Sequence, residues 1–296
     1  MTTRAKRRRP RLASDLLAVD VGNSKVQAVL VRDGKEVWRW RVDYGAGDAW
    51  RRHFAVAAAA ARRDGRGTPI VLSSVAPRRA AVITRLLERG LGRRVHRVGW
   101  RDPWPFRLDI RHPQTVGADR LANVAGSMAL GHTTGIVVDA GTAVTIDVLR
   151  HRRFIGGLIL PGPALAARAL HAHTESLPPL VPQTHAALLG TDTASAMQAG
   201  IHHGMLHAVD GITRALRAQL GRRTRVLLTG GGSAVLAAAL PHADFEPDLL
   251  LHGLRLLWAH EPGRRGSPRR ASRPPVPGRP RGGVLGTRSG RNLKAR

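Results

Sequence analysis

Two short stretches of this chain set a carboxylate, a glycine and hydroxyl-bearing residues in a row that suits phosphate chemistry. Residues 134–147 read TGIVVDAGTAVTID: the apolar Ile136, Val137 and Val138, then Asp139, the small residues Ala140, Gly141, Thr142 and Ala143, and a second β-prone run closed by Asp147. Two β-rich runs joined by a small-residue turn predict a hairpin with Asp139 at the end of its first strand. Gly141 leaves room for a phosphate to approach backbone N–H groups, and Thr142 adds a hydroxyl donor. A carboxylate able to hold a cation beside such a turn suits a nucleotide phosphate carrying its metal. Residues 16–24, LLAVDVGNS, repeat the design with Asp20, Gly22, Asn23 and Ser24. A single D-x-G is ordinary hairpin chemistry. The duplicated unit implies two related half-domains facing one ligand.

A third candidate lies between them. In VGADRLANVAGSMALG, residues 116–131, the spacing of Leu121, Val124, Ala125, Met128 and Ala129 predicts a helix with Asp119 and Arg120 in its first turn. The helix dipole favours an ionised carboxylate there, and Arg120 offers a planar donor to an anionic substrate. The plain alternative is a carboxylate serving only as a cap. Residues 225–240, RVLLTGGGSAVLAAAL, read as strand, glycine turn and helix, again placing small residues where a nucleotide packs closely. No G-x-x-x-x-G-K-[ST] loop and no G-x-S-x-G turn is present. His203 and His207 have an i, i+4 spacing, yet no neighbouring Glu, Asp or Cys completes a zinc ligand set.

The elements that must hold these residues alternate. Residues 16–43 read as three strands with a turn at Asp33 and Gly34, and with Trp38 and Trp40 on one face of the third. Residues 48–63 form a helix pattern from Asp48, 69–76 a buried strand, 77–91 a helix with Pro77 in its first turn, and 95–99 a short strand. Residues 100–116 hold Pro103, Pro105 and Pro113 and read as loop. Gly156, Gly157, Pro161 and Gly162 interrupt an apolar run before a helix from about Pro163, and suggest close backbone approach at an interface or ligand. Residues 191–221 predict a long helix started by Thr191 or Thr193 and broken near Gly200 or Gly204. Residues 248–260 predict a terminal amphipathic helix. An opening meander followed by alternating strands and helices implies an α/β fold.

The 296 residues carry a formal charge of +28 and no cysteine. Disulfides, thiolate zinc sites and cysteine nucleophiles are excluded, as suits a reducing cytoplasm. No apolar run approaches the roughly 20 residues needed to cross a bilayer, so a cytoplasmic protein with no membrane partner is expected. Residues 1–13 hold six basic side chains and no acid, and residues 262–296 hold eleven and no acid, so more than half of the charge sits on Pro, Gly, Ser and Arg segments. These are expected to be disordered tails with weak, salt-dependent polyanion binding; they lack aromatic stacking platforms.

The motifs DVGNS (20–24), GADR (117–120), DAGTAVTID (139–147), FIGGLILPG (154–162), TESLP (174–178), GTDTASAMQAGIHHG (190–204), TGGG (229–232) and DLLLHGL (248–254) resemble type III pantothenate kinases across residues 15–260. The resemblance implies two duplicated ribonuclease-H-like domains of the actin-like ATPase kind, at 14–115 and 116–261, with a nucleotide cleft between them and basic tails at 1–13 and 262–296. It implies ATP-dependent phosphorylation of pantothenate to 4'-phosphopantothenate, the first step towards coenzyme A, by a homodimer using Mg²⁺ and a monovalent cation, potassium or ammonium. Asp119 matches the general base. Asp20, Val21, Gly22, Asn23, Ser24, Lys25, Val26 and Gln27 match the first ATP phosphate motif, and Thr142 an ATP contact. Gly117, Ala118, Asp119 and Arg120 match the pantothenate site, Thr193 a substrate contact completed across the dimer, and Asp139 the cation ligand. Ile110 stands where family members commonly carry a tyrosine, which implies a drier or rearranged pocket and keeps another small hydroxyl substrate in view. A different class of reading is a non-catalytic nucleotide-binding regulatory protein that engages nucleic acid through its basic tails.

Overall fold

A computed structural model describes residues 10–44, 52 and 67–260. The helix expected over 48–63, and nearly all of both basic tails, lie outside the described residues.

The first sheet takes β1 (Leu16–Val21), β2 (Lys25–Arg32), β3 (Lys35–Asp43), β4 (Ile70–Ser74) and β5 (Val95–Arg97) in the order β3-β2-β1-β4-β5. β1 pairs antiparallel with β2 and parallel with β4. Its LLAVDV sequence is buried on both faces except at Asp20, as a central strand requires. The β2–β3 turn is built by Asp33 (φ 47°) and Gly34 (φ 80°), the pair that a two-residue hairpin with the strands' own twist demands. Along β3, Trp38, Trp40 and Val42 pack on the core while Val37, Arg39, Arg41 and Asp43 are exposed.

The second sheet repeats this plan. β7 (Gly135–Ala140), β8 (Ala143–Arg150), β9 (Arg153–Pro161), β10 (Arg225–Thr229) and β11 (Ala243–Phe245) lie in the order β9-β8-β7-β10-β11, and the two-residue β6 (Arg107–Leu108) extends the β9 edge. Directions match as well: β7 runs antiparallel to β8 and parallel to β10. Residues 100–116, expected as loop, also contain a 3₁₀ turn, Pro113–Thr115.

Helices fill the layers around and between the sheets. α1 (Pro77–Leu91) buries Ala80, Ile83 and Leu87 on the first sheet. α2 (Ala118–Ala129) and α6 (Leu249–His260) form a pair packed against both sheets, with Leu121, Val124, Leu254 and Leu257 in one core with Leu16, Val71, Leu149 and Phe154. The pair is interlocked: a Cβ on Gly126 would collide with the Leu249 carbonyl, and one on Gly253 with the Ala122 carbonyl. α4 (Thr193–Leu220) and the five-residue α5 (Ser233–Ala237) cover the outer face of the second sheet, and α3 (Pro163–Ala172) follows β9.

Two sequence expectations change here. α4 runs unbroken through Gly200 and Gly204, and its cap is Asp192 rather than Thr191 or Thr193: the Asp192 carboxylate accepts from the Ser195 amide at 2.9 Å while Ser195 Oγ accepts from the Asp192 amide at 3.1 Å. At the other end of the chain, Leu12 packs on the central core and Arg255 Nε donates to the Ala13 carbonyl at 2.9 Å.

Candidate active site

Asp20 and Asp139 occupy the same place in their sheets, one residue before the end of the central strand. Asp20 is in register with Gln27 on β2 and Ser73 on β4; Asp139 is in register with Thr145 on β8 and Thr229 on β10. Both turns that follow are closed by a backbone bond, Gly22 N–H to the Lys25 carbonyl at 2.9 Å and Gly141 N–H to the Ala143 carbonyl at 3.1 Å. Ser24 Oγ and Thr142 Oγ1 are 2.8 Å apart, so the two turns meet although 118 residues separate them. The first turn is also held from outside: the Tyr44 amide donates to the Ser24 carbonyl, and Arg79 donates to the Asn23 carbonyl while stacking 4.1 Å from the Tyr44 ring centroid.

Not every residue of the first motif faces this meeting point. Val21 and Val26 are fully buried in the apolar cluster under α1, so their side chains are core. Ala118 likewise points into the central core.

Asp119 sits in the first turn of α2 and does not act as its cap; the N-cap is Gly117, with no side-chain bond. Asp119 Oδ1 accepts from the Arg120 amide at 2.7 Å, and the carboxylate is also drawn to its own amide. Gly117 makes room for it, because a Cβ there would strike Oδ1. Four residues along the same helix face, Asn123 Nδ2 donates to Asp139 Oδ2 at 2.8 Å, while Asn123 Oδ1 is buried without a partner. Sequence reading missed Asn123. The i, i+4 spacing from Asp119 was the available signal.

Contrary to the expectation of a planar donor offered to a substrate, Arg120 does not present its whole fork. Its Nε donates to Asp147 Oδ1 at 2.9 Å and its Nη2 to the same oxygen at 2.5 Å, and Asp147 is completely buried. A Cβ on Gly157 would strike this ion pair and the Ile146 carbonyl, and one on Gly162 the carbonyls of Gly141 and Thr142, whereas Gly156 borders open space, so the anticipated close approach holds for Gly157 and Gly162. Gly230 serves Asp139 in the same way: with φ at 93°, it leaves the space that Asp139 Oδ1 occupies, and the Gly232 amide donates to the Ala140 carbonyl at 2.8 Å.

The carboxylates act on one another. Burial, with repulsion from Asp119 and Asp139, pushes Asp20 up to about 7. Burial and Asp119 raise Asp139 to about 6 against the pull of Asn123 and Lys25. Burial raises Asp147 to about 6 against Arg120. Asp119 is itself raised by burial, which the Arg120 amide and guanidinium oppose. A site of this kind stores unneutralised negative charge beside two hydroxyl-bearing turns, and cations entering it relieve that cost. Among the described residues, no three His, Cys, Asp or Glu side chains converge to hold a metal by themselves. Thr193, exposed at the start of α4, makes no described contact with the cluster, and Ile110 is partly buried against the central core. No helix among the described residues is long and apolar enough to cross a membrane.

Residues 16–215 match the family model of type III pantothenate kinase. A type III pantothenate kinase of Hyphomonas neptunium is 33% identical over 257 residues, covering 82% of this chain and 98% of its own. One from Moorella thermoacetica is 31% identical over 251 residues, with 82% and 98% covered. Among solved structures, a Campylobacter jejuni chain described as a conserved candidate Baf family transcriptional activator superposes with a TM-score of 0.53 at 20% identity, covering 83% of this chain and 98% of its own. That likeness concerns the fold alone.

Proposed function

This chain belongs to the type III pantothenate kinase family, and we propose that the cluster of Asp20, Asp119, Asp139 and the two hydroxyl-bearing turns is where it works. The reaction passes the γ-phosphoryl group of ATP to the primary hydroxyl of pantothenate, giving 4'-phosphopantothenate for coenzyme A biosynthesis.

One observation carries the assignment of roles: Asp119 is free of capping duty, accepts no hydrogen bond from another side chain among the described residues, and is electrostatically coupled to the aspartates of both turns. Phosphoryl transfer asks the protein mainly for alignment and charge neutralisation. Asp119, made more basic by burial, takes the proton of the attacking hydroxyl. The turns at 20–24 and 139–142 receive the phosphates, with Ser24 and Thr142 as hydroxyl donors and Gln27 and Lys25 beside them. Gly117 and Arg120 border pantothenate, and Asp147 holds the Arg120 fork in one orientation.

The donor set fits the cations the family uses. Asp139 beside the orphaned Asn123 Oδ1 suits a hard monovalent cation, potassium or ammonium, and Asp20 suits the Mg²⁺ that accompanies ATP. Bound there, these ions supply neutralisation of the phosphate charge.

The shared strand order of the two sheets supports reading residues 14–115 and 116–261 as duplicated ribonuclease-H-like halves around the cleft. The exposed Ile159, Val181, Leu188 and Leu189 support a homodimer, in which Thr193 of one protomer completes the pantothenate site of the other. The absence of cysteine suits the cytoplasm, and the basic ends at 1–13 and 262–296 add weak polyanion binding separable from turnover. The test is ADP release by the full chain with Mg²⁺ and potassium, with and without pantothenate, repeated in sodium. Pantothenate-dependent release that falls in sodium is expected; release indifferent to pantothenate would overturn the substrate.

A further inference from the structure

The polyphosphate of ATP needs positive charge, and the turns that receive it end in carboxylates. α5 is too short to offer a useful helix terminus, so beside the cations and the turn N–H groups any further counter-charge comes from side chains. On the exposed face of β3 two arginines stand two residues apart. Arg39 is consumed: it donates to Glu36 Oε1 at 2.9 Å and reaches across the molecule to Asp248 Oδ1 at 2.7 Å. Arg41 has no hydrogen bond, ion pair or ring contact among the described residues. It lies in register with Gln27, the last residue of the first phosphate motif.

The head of Arg41 is nonetheless directed. A Cβ on Gly231 would lie 3.7 Å from Arg41 Nη2 and 3.4 Å from Lys25 Nζ. Two cations from the β2–β3 hairpin thus converge over one glycine of the turn after β10, both within van der Waals reach of the place a Cβ would take. Lys25 is the inner of the two, close enough to Asp20 and Asp139 to favour their charged forms. Arg41 is the outer, and among the described residues no carboxylate forms an ion pair with it. Like charges gathered this way repel until an anion joins them, and a guanidinium fork matches phosphate oxygens in pairs.

We propose that Arg41 is a nucleotide-binding residue: with Lys25 it forms a cationic clamp over Gly231 that receives the polyphosphate of ATP. The proposal rests on the nucleotide reading of the cleft and adds to it a residue outside the motif segments. The spacing of the two heads gives Lys25 the phosphates nearest the carboxylates and Arg41 those further out.

The experiment compares wild type with Arg41→Gln and Arg41→Lys in the full chain. Dissociation constants for a non-hydrolysable ATP analogue with Mg²⁺ are measured by calorimetry at two salt concentrations, beside KM for ATP and for pantothenate and the melting temperature. Arg41→Gln is expected to weaken analogue binding and raise KM for ATP about tenfold or more, with a shallower salt dependence and with pantothenate KM and melting temperature unchanged. Arg41→Lys should recover part of the loss. Analogue binding within twofold of wild type in Arg41→Gln overturns the clamp, as does a parallel loss of pantothenate affinity, which would make Arg41 structural. Wild type that binds the analogue without turning over pantothenate removes the substrate reading and leaves the clamp standing; wild type that binds no analogue removes both.

Discussion

The hairpins β1–β2 and β7–β8 can be laid over each other strand by strand. Both first strands are buried throughout except at their aspartate, and both second strands begin with the same alternation of half-buried and buried positions. At the fifth residue of the second strand they part. The first hairpin has Val29, 4% exposed, in the central core, and the second has Asp147, 0% exposed, bound to Arg120. The aspartates differ too: Asp139 takes a hydrogen bond from Asn123, whereas Asp20 is lowered chiefly by the Lys25 charge and stands higher, at about 7 against about 6. One architecture therefore supplies a turn on an apolar frame and, in its second use, a turn with a buried polar frame that fixes an arginine next to Asp119, the proposed base. The frame decides what each turn can do, because an unpaired buried charge costs several kcal/mol and must be met locally.

Three experiments bear on that contrast. Asp119→Asn removes the proposed base and the negative charge that acts on both turns. Turnover should fall about 10²- to 10⁴-fold in a protein whose circular dichroism matches wild type; a near-normal rate would take Asp119 out of the base role. Asp147→Val gives the second hairpin the residue of the first and strands Arg120 without its counter-charge. A loss of about 3–5 kcal/mol is expected in urea unfolding, and a loss below about 1 kcal/mol would mean that Arg120 finds another acceptor.

The smallest effect concerns Asp20 and pH. Its folded value, about 7, stands above the 3.8 of an unfolded carboxyl, so the folded state holds this proton more tightly. Its contribution to stability is full below about pH 4 and is lost as pH rises towards 7. Asp20→Asn should therefore stabilise the nucleotide-free protein at pH 8, with the gap closing at pH 4 in thermal melts, while turnover is lost. Equal melting temperatures at both pH values would show that Asp20 is already neutralised, and the contrast with Asp139 would vanish.

Much of the site was legible because its signals are local. D-x-G between β-prone runs, and an apolar helical period starting just after Gly117, depend only on neighbours in the chain. β9 was missed for an equally local reason. Its entry turn uses His151 and Arg152 in left-handed backbone, at φ 49° and 60°, with no glycine to announce it, and Gly156 and Gly157 argue against a strand. Gly200 and Gly204 misled in the other direction: α4 is long enough, and packed well enough on the second sheet, to carry both. Its cap was misassigned because Thr191, Asp192 and Thr193 are all acceptable capping types, and only the return bond from Ser195 distinguishes Asp192.

By itself the sequence determined the two phosphate-suited turns, the position of Asp119 in a first helical turn, and an α/β order of elements, since turn chemistry and periodicity are properties of adjacent residues. Tertiary structure decided the rest: that Arg120 is held by Asp147 and Asp139 by Asn123, that the Ser24 and Thr142 turns touch, and that Arg41 stands beside Lys25 without a partner among the described residues. Those outcomes depend on burial and on partners far along the chain, and an ionisable group's charge is set by its surroundings in space, which composition and spacing do not encode.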